Sequence, residues 1–258
     1  MLWGAVDRRG DRPAYRQIAA MIRDAIHAGQ LTPGEQLPSY GELADQFGVA
    51  LMTARQAVQE LSTEGLISIE QGRGSFVRPR VPVRRLASDR FARRHREAGK
   101  AAFLIEAEKS DYTPGVDQIQ ISRGSAPAGV IERLRLETGD EVVIRARRYL
   151  ANGQPVELAT SYIPVALADG TPISEPNPGP GGIYARLEEA GHTLARFSED
   201  VGARMPTAEE ARQLKLPSST PVLTVIRTAY DTNDHAVEVC DTVKSALAYV
   251  LQYDFSAH

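Results

Sequence analysis

Four hydrogen-bonding side chains are clustered in one short segment: Thr53, Arg55, Gln56 and Gln59. Arginine and glutamine are the side chains that pair in a bidentate manner with guanine and adenine in the major groove of DNA. The apolar residues between them recur at the spacing of one helical face: Ala54, Ala57, Val58 and Leu61. The segment therefore predicts an amphipathic helix whose outer face could read bases, although a merely solvated polar face has the same pattern.

A second candidate contact is Arg73, which lies between Gly72 and Gly74. The segment from Leu66 to Val77 alternates apolar and polar residues around these glycines, which predicts a β-hairpin. An arginine at the tip of such a wing can enter the narrow minor groove, where the negative potential of DNA is strongest.

Two further helices are predicted to position these side chains. The first carries an apolar stripe and ends near Gly29; the stripe comprises Ile18, Met21, Ile22, Ala25 and Ile26. The second begins at a capping box of Ser39 and Glu42 and stops at Gly48. Two helices joined by a tight glycine turn are typical of a helix-turn-helix, whose second helix enters the major groove.

The composition predicts a cytoplasmic globular protein. The chain has 258 residues, of which 42% are hydrophobic and 24% charged, enough for two domains. We find no apolar run of signal-peptide or membrane-span length and expect no membrane partner. Cys240 is the single cysteine, and the five histidines lack metal-ligand spacing, so we expect neither a disulfide nor a metal site nor a cofactor.

The charge is distributed unevenly. Residues 1–80 carry nine basic and nine acidic side chains, residues 81–100 carry seven and two, and residues 101–258 carry fourteen and twenty-two. This asymmetry favours a phosphate-facing junction attached to an acidic body that does not touch DNA. A solvated charged helix would give the same count.

The run L-P-S-Y-G-E-L-A-D-Q-F-G-V-A-L-M-T-A-R-Q-A-V-Q-E-L-S-T-E-G-L-I-S-I-E-Q-G-R-G-S-F-V resembles the winged-helix domain of GntR-family regulators. Together with the patterns above, the resemblance predicts these DNA-contacting residues: Ser39, Tyr40, Thr53, Arg55, Gln56, Gln59, Arg73 and Gly74. The chain departs from the family at Gly41, where arginine is usual, and at Ala50-Leu51, where Ser-Arg is frequent. Alanine at position 50 also removes an N-cap that is worth about 0.5–2 kcal/mol.

Beyond a Pro- and Arg-rich stretch, the segment D-R-F-A-R-R-H-R-E-A-G-K-A-A-F-L-I-E-A-E-K has helical composition. From about residue 117 strands dominate, with hairpins predicted at Asn152-Gly153 and around residues 232–234. Helices are predicted at I-Y-A-R-L-E-E-A-G and after a capping box of Thr207 and Glu210. We therefore expect an α+β fold with a mostly antiparallel sheet. The predicted boundaries are 1–78 for the winged helix, 79–88 for a linker and 89–258 for the second domain.

The order of these pieces resembles the UTRA effector-binding domain, which occurs in HutC-type GntR regulators and is similar in fold to chorismate lyase. R-R-Y-L-A-N-G-Q-P-V followed by T-S-Y-I-P and a late A-V-E at residues 236–238, in place of the family's P-V-E, carries the resemblance. It implies a ligand pocket, and from the family positions and their neighbours we predict these lining residues: Arg145, Arg147, Tyr149, Tyr162, Tyr184, Glu238 and Tyr249. Tyr149, Ala159 and Gly182 replace an Arg, a Glu and a Ser of relatives that bind sugar phosphates, which favours an aromatic or amphiphilic ligand.

Alternation along a strand places Arg145, Arg147 and Tyr149 on one face. Two buried arginines need a partner there, which we expect to be Glu238 or a ligand; alternatively, these side chains pair within the sheet and no ligand binds.

Three functions remain open from the sequence. The resemblance implies a homodimeric repressor that binds double-stranded palindromic operator DNA and is released by a small-molecule effector. A dimer is expected because one short recognition helix reads few base pairs. A constitutive repressor of the plasmid-control kind is the first alternative. An enzyme of chorismate lyase-like fold is the remote one, since no catalytic constellation is present and fold does not imply activity.

Overall fold

The computed structural model describes residues 4–78, 83–86, 94, 98, 102–110, 112–217 and 220–254. The chain divides into two compact units, one made of residues 1–80 and 216–220 and the other of residues 81–215 and 221–258. The order of elements matches the expected α+β class, with a mostly antiparallel sheet in the second unit.

The first unit contains the predicted winged helix-turn-helix. Its elements are α1 (Ala14–His27), α2 (Tyr40–Phe47), α3 (Leu51–Thr63), β1 (Ile67–Glu70) and β2 (Gly74–Val77). The two strands pair antiparallel, which confirms the predicted hairpin. One core cluster combines buried residues from all three helices and both strands, so the helices are held against the wing by apolar packing.

The turn between α2 and α3 follows the local signals of the sequence. Ser39 and Glu42 form the predicted capping box at the start of α2, and Gly48 ends the helix in the left-handed conformation with φ 65°. Ala50 precedes α3 without a side-chain cap, as expected from the missing serine.

The described strands of the second unit are β3 (Val83–Leu86), β4 (Pro114–Gly124), β5 (Val142–Ala151), β6 (Gln154–Pro164), β7 (Leu194–Arg204), β8 (Val222–Asp231), β9 (Ala236–Ser245) and β10 (Tyr249–Gln252). Six of them form one sheet in the order β4-β5-β6-β9-β8-β7, with every neighbouring pair antiparallel. The described helices of this unit are α4 (Ala102–Ser110), α5 (Ala128–Leu134), α6 (Val165–Ala168), a 3-10 turn (Pro172–Ser174), α7 (Gly182–Glu189) and α8 (Ala208–Gln213).

Both predicted hairpins of this unit are confirmed. Asn152 and Gly153 join β5 to β6 with φ values of 50° and 75°, the two positive values that a type I′ turn requires. Residues 232–235 join β8 to β9. Strand β7 was not predicted, because it is an edge strand whose side chains are mostly exposed and therefore show little apolar alternation.

The structure differs from the expected linker at Val83–Leu86. These residues form β3, which pairs in parallel with β10. The linker was expected because prolines and arginines alternate there, but Arg85 is buried and forms ion pairs with Glu106 and Glu199. The rest of the expected linker and most of the basic junction at 81–100 lie outside the described residues.

The apolar end of the segment expected to be helical forms α4. Of the helices in the described ranges, none combines the length and the apolar character needed to cross a bilayer. Within the same ranges, His, Cys, Asp and Glu side chains form no group of three or more that could hold a metal ion.

Candidate DNA interface and ligand cavity

The outer face of α3 presents the predicted base-reading side chains. Arg55, Gln56 and Gln59 are exposed and Thr53 is half-buried. The inward side chains are fully buried: Ala54, Ala57, Val58 and Leu61. The apolar stripe therefore fixes the rotation of the helix, and the polar residues face away from the core.

Arg73 lies at the tip of the wing with 73% of its side chain exposed. It forms an ion pair with Glu70, and its guanidinium lies 5.6 Å from the centre of the Phe76 ring. Gln36 Nε2 donates a hydrogen bond of 2.9 Å to the Arg73 carbonyl. A Cβ atom at Gly74, where φ is 121°, would lie 2.6 Å from that same nitrogen. Gly74 is thus needed for the shape of the tip.

Ser39 and Tyr40 stand at the start of α2. The Ser39 hydroxyl accepts a hydrogen bond from the Glu42 amide at 3.3 Å, and Tyr40 is half-buried against the core cluster of this unit. The structure therefore gives both residues a part in placing α2. Their predicted contact with DNA stays a prediction.

Sequence reasoning missed a contact that joins the N-terminal segment to the turn. An Arg8 guanidinium nitrogen donates to the Gly48 carbonyl at 2.8 Å. Asp7 and Gln17 hold the segment through two backbone-to-side-chain hydrogen bonds of 2.9 and 2.8 Å. The segment has no periodicity, so only the run of charges at Asp7, Arg8 and Arg9 could have drawn attention to it.

A cavity of about 590 Å³ lies within the second unit. Five of the seven residues predicted to bind a ligand line it, namely Arg145, Arg147, Tyr149, Tyr184 and Glu238. Its other walls come from α4, β4, β8, the loop before α7 and the start of α7: Phe103, Leu104, Val116, Ile119, Pro176, Asn177, Pro178, Gly179, Pro180, Gly181, Gly182, Ile183 and Arg227. The volume is in the range of small-molecule sites.

Strand register explains why distant residues share this cavity. Arg145 lies opposite Ser161, Ser161 lies opposite Cys240, and Cys240 lies opposite Arg227. Residues directly opposite one another in neighbouring strands point to the same face of a sheet. The row therefore carries one arginine from β5 and another from β8 toward the same space. Arg147 and Tyr149 follow Arg145 on that face, as alternation predicted.

The hydrogen bonds of Arg145 and Arg147 are satisfied by neutral groups. Arg145 donates to the carbonyls of Ile173, Glu175 and Pro176, the last two at 2.6 and 3.3 Å. Arg147 donates to the Tyr149 hydroxyl at 2.8 Å and to the Ser161 hydroxyl at 3.1 Å. Burial lowers the pKa of Arg145, and the charge of Arg147 adds to that effect.

Glu238 pairs with Arg227 rather than with Arg145 or Arg147, so of the two partners expected for those arginines a ligand stays a prediction. The Arg227 guanidinium lies 3.4 Å from Glu238 Oε2 and donates at 2.9 Å to the Tyr184 hydroxyl. Tyr184 in turn donates to Glu238 Oε2 at 2.5 Å. Burial raises the pKa of Tyr184 well above its ordinary value, so its hydroxyl keeps the proton that it donates.

The second carboxylate oxygen of Glu238, Oε1, accepts no hydrogen bond from Arg227 or Tyr184. The side chain is fully buried and lines the cavity. Among the described residues, Glu238 Oε1 has no hydrogen-bond partner. A buried carboxylate oxygen is costly without a donor, so this atom is suited to accept a hydrogen bond from a ligand.

Tyr162 and Tyr249 do not line the cavity, which corrects their predicted place. Tyr162 follows Ser161 on β6 and therefore points to the opposite face, where it packs against a cluster that includes Val142 and Val239. Tyr249 is buried beside β3, and its hydroxyl donates to Glu157 at 2.7 Å. Their residue type suggested a ligand contact, but strand parity and burial place them elsewhere.

The side chains that line the cavity carry more positive than negative charge. Of the described residues that line it, three are arginines and one is a glutamate, and the remaining side chains are aromatic, aliphatic, proline, glycine or asparagine. Neutral carbonyls and hydroxyls satisfy the hydrogen bonds of Arg145 and Arg147 but do not balance their charge. The arrangement is therefore suited to an anion with an apolar body.

Arg227 is the main lining residue that sequence reasoning missed. It lies in the strand V-L-T-V-I-R-T-A-Y-D, where a charged residue interrupts a mostly apolar run. That interruption was the available signal. The sequence alone could not place it, because the face it occupies depends on pairing with β9.

Two family models match the chain. The model of bacterial regulatory proteins of the gntR family matches residues 14–77, and the UTRA domain model matches residues 109–249. An HTH-type transcriptional regulator of Streptomyces coelicolor is 32% identical over 249 residues, covering 94% of this chain and 93% of the relative. The transcriptional repressor NagR of Bacillus subtilis is 29% identical, covering 92% and 93%. The histidine utilization repressor of Klebsiella aerogenes is 28% identical, covering 97% and 98%.

Solved structures share the fold. A crystal structure of a GntR-family transcriptional regulator has a TM-score of 0.58 at 27% identity, covering 96% of this chain and 99% of the other. PhnF from Mycobacterium smegmatis has a TM-score of 0.60 at 22% identity, covering 93% and 100%. The second likeness shows the arrangement of elements alone.

Proposed function

Since this chain belongs to the GntR family of bacterial regulatory proteins, in the HutC-type branch that carries a UTRA domain, we propose that it is a homodimeric repressor released from a palindromic operator by a small effector. Two of the relatives compared above are HTH-type transcriptional regulators by name, and two are named repressors. The dimer, the operator symmetry and the release by effector are our inference.

A dimer is supported by the size of the DNA-reading element. Helix α3 has thirteen residues, so its outward side chains reach only a few base pairs in the major groove. Two copies related by a twofold axis double the number of base pairs read and require an inverted repeat. A footprint confined to a single half-site would contradict this part of the proposal.

The cavity of the second unit carries the effector part of the proposal. Three guanidinium groups, one carboxylate and walls of Phe103, Leu104 and Ile183 favour an organic anion with an aromatic or aliphatic body. Glu238 Oε1 adds a place for a hydroxyl or N–H group of the same molecule. We infer that the anion replaces the neutral hydroxyl partners of Arg147, because a charged acceptor binds a guanidinium more strongly than a neutral one.

Arg55 and Arg73 are expected to differ in what they read. Selection from random duplexes would first supply an operator, which should be an inverted repeat. Arg55→Ala should then weaken binding by about 1–3 kcal/mol and relax the preference at one base pair of each half-site. Arg73→Ala should weaken binding with less effect on preference. Equilibrium titrations with the operator and with its single-base-pair variants measure both effects. If both protein variants bound like the wild type, the proposed placement of α3 and of the wing on DNA would be wrong.

Effector binding is expected to depend on Arg147. A library of organic acids, screened by the melting temperature of the protein, should contain a compound that stabilises the second unit and releases the operator. In Arg147→Met that compound should lose both effects, whereas operator affinity stays near the wild-type value because the first unit is unchanged. Arg123→Met, on the same sheet but half-exposed and paired with Asp169, is the matched control. If no compound shifts the melting temperature, the effector part of the proposal loses its support and the alternative of a constitutive repressor gains.

A further inference from the structure

Helix α3 begins with two exposed apolar side chains. Leu51 and Met52 are its first two residues, and 56% and 66% of their surfaces are exposed. Elsewhere on α3 the large apolar residues are buried and the outward positions are polar. Leu51 also occupies a position where the family resemblance led us to expect arginine. Two adjacent large apolar residues on an otherwise polar binding face need an explanation.

These two side chains share the face of the base-reading residues. Met52 precedes Arg55 by three positions and Gln56 by four, and Leu51 precedes Arg55 by four. Residues at these spacings are neighbours on a helix surface. In a helix-turn-helix the N-terminal residues of the recognition helix are the ones that reach base edges. Leu51 and Met52 therefore lie where α3 approaches the bases most closely.

The chemistry of the two side chains restricts what they can recognise. Neither can donate or accept a normal hydrogen bond, so against guanine, adenine or cytosine they would desolvate polar edge atoms without replacing their hydrogen bonds. Thymine differs because its C5-methyl group projects into the major groove and offers an apolar contact. Apolar contact with that methyl is favourable in proportion to the area removed from water.

We propose that Leu51 and Met52 read thymine methyl groups, so that each operator half-site carries thymine opposite the first turn of α3. The proposal deepens the proposed function and rests on it, because it requires that the first unit bind operator DNA. A second copy of the chain or another protein seated on Leu51 and Met52 is the competing occupant. Continuity with Arg55 and Gln56 on the same face favours DNA over that alternative.

The test removes single methyl groups from the DNA. In the selected operator, each thymine is replaced in turn by deoxyuridine, which pairs identically and lacks only the C5-methyl. We expect a loss of affinity of about threefold to fivefold at two positions of each half-site, the size expected for one buried methyl-sized group at each. The slope of log affinity against log salt should not change, because no phosphate contact is lost.

Variants of the full chain then assign the methyl groups. Leu51→Ala and Met52→Ala should each abolish the uracil effect at one position and leave the other unchanged. Met205→Ala, which truncates a methionine with 57% exposure in the second unit, should leave both effects intact. Leu51→Arg should shift the preferred base at its position from thymine to guanine.

The outcomes separate the two proposals. If no sequence is enriched from the random duplexes, the proposed function fails, and this inference fails with it. If an operator is enriched but tolerates uracil at every position, the repressor remains and the reading of methyl groups is wrong. If the uracil effects persist in both alanine variants, other side chains contact the methyl groups, and the assignment to Leu51 and Met52 is wrong.

Discussion

Replacing Arg227 by methionine is expected to lower the free energy of unfolding of the second unit by about 3–5 kcal/mol, the cost of removing one partner from a buried ion pair. Glu238 is fully buried, and its described partners are Arg227 and the Tyr184 hydroxyl. Burial disfavours the charge of Arg227, but the carboxylates around it, Glu238 and Glu199 among them, favour that charge, and the pKa of Arg227 is raised. The variant therefore keeps a buried carboxylate and loses the charge that balanced it.

Urea unfolding of the full chain, followed by circular dichroism, measures this change. The double variant Arg227→Met with Glu238→Gln should recover a large part of the loss, because it removes the carboxylate as well as its partner. Arg196→Met is the control for an exposed pair, since Arg196 and Asp234 are 51% and 66% exposed, and it should change stability by about 1 kcal/mol or less. Wild-type stability of the single variant would show that the charge of Glu238 is compensated without Arg227.

Leu61→Ala should abolish operator binding by unfolding the first unit. Leu61 is fully buried in the cluster that joins the three helices to the wing. Truncation of a buried leucine costs about 2–5 kcal/mol, which is comparable with the whole stability expected of a domain of this size. The second unit has separate cores and should keep its own melting transition and its response to an effector.

Two substitutions on the same helix serve as controls for Leu61→Ala. Leu61→Met keeps the side-chain volume and should cost less than about 1.5 kcal/mol. Leu51→Ala makes the same truncation at a residue that is 56% exposed, so it should leave the unfolding transition unchanged. Calorimetry of each protein, with and without effector, distinguishes the transitions of the two units. If Leu61→Ala abolished the unfolding transitions of both units together, the two units would not fold independently.

Leu61 and Arg227 illustrate what the sequence could and could not predict. Leu61 and the rest of the winged helix follow from local signals: an apolar stripe, a capping box at Ser39 and Glu42, and a left-handed glycine at Gly48. Each of these signals lies within a few residues of the structure that it specifies. For that reason helix boundaries and the outward position of Arg55 could be derived before any tertiary contact was known.

The cavity was only partly predictable, because its geometry depends on pairing between distant strands. Alternation along β5 placed Arg145, Arg147 and Tyr149 on one face. Whether Arg227 joins them depends on the register of β8 with β9, which no local pattern specifies. The same dependence explains Tyr162, since a residue adjacent to Ser161 must point away from the face that Ser161 occupies.

The pairing of β3 with β10 has a consequence for synthesis on the ribosome. Val83–Leu86 can complete its ladder only after Tyr249–Gln252 has been translated. At about 5–20 residues per second, the winged helix precedes that pairing by roughly ten to thirty seconds. A nascent or prematurely terminated chain would therefore display a folded DNA-binding unit before the second unit could complete its β3–β10 pairing. Premature termination ahead of Tyr249 would then yield chains that carry the winged helix but lack the strand that completes this ladder.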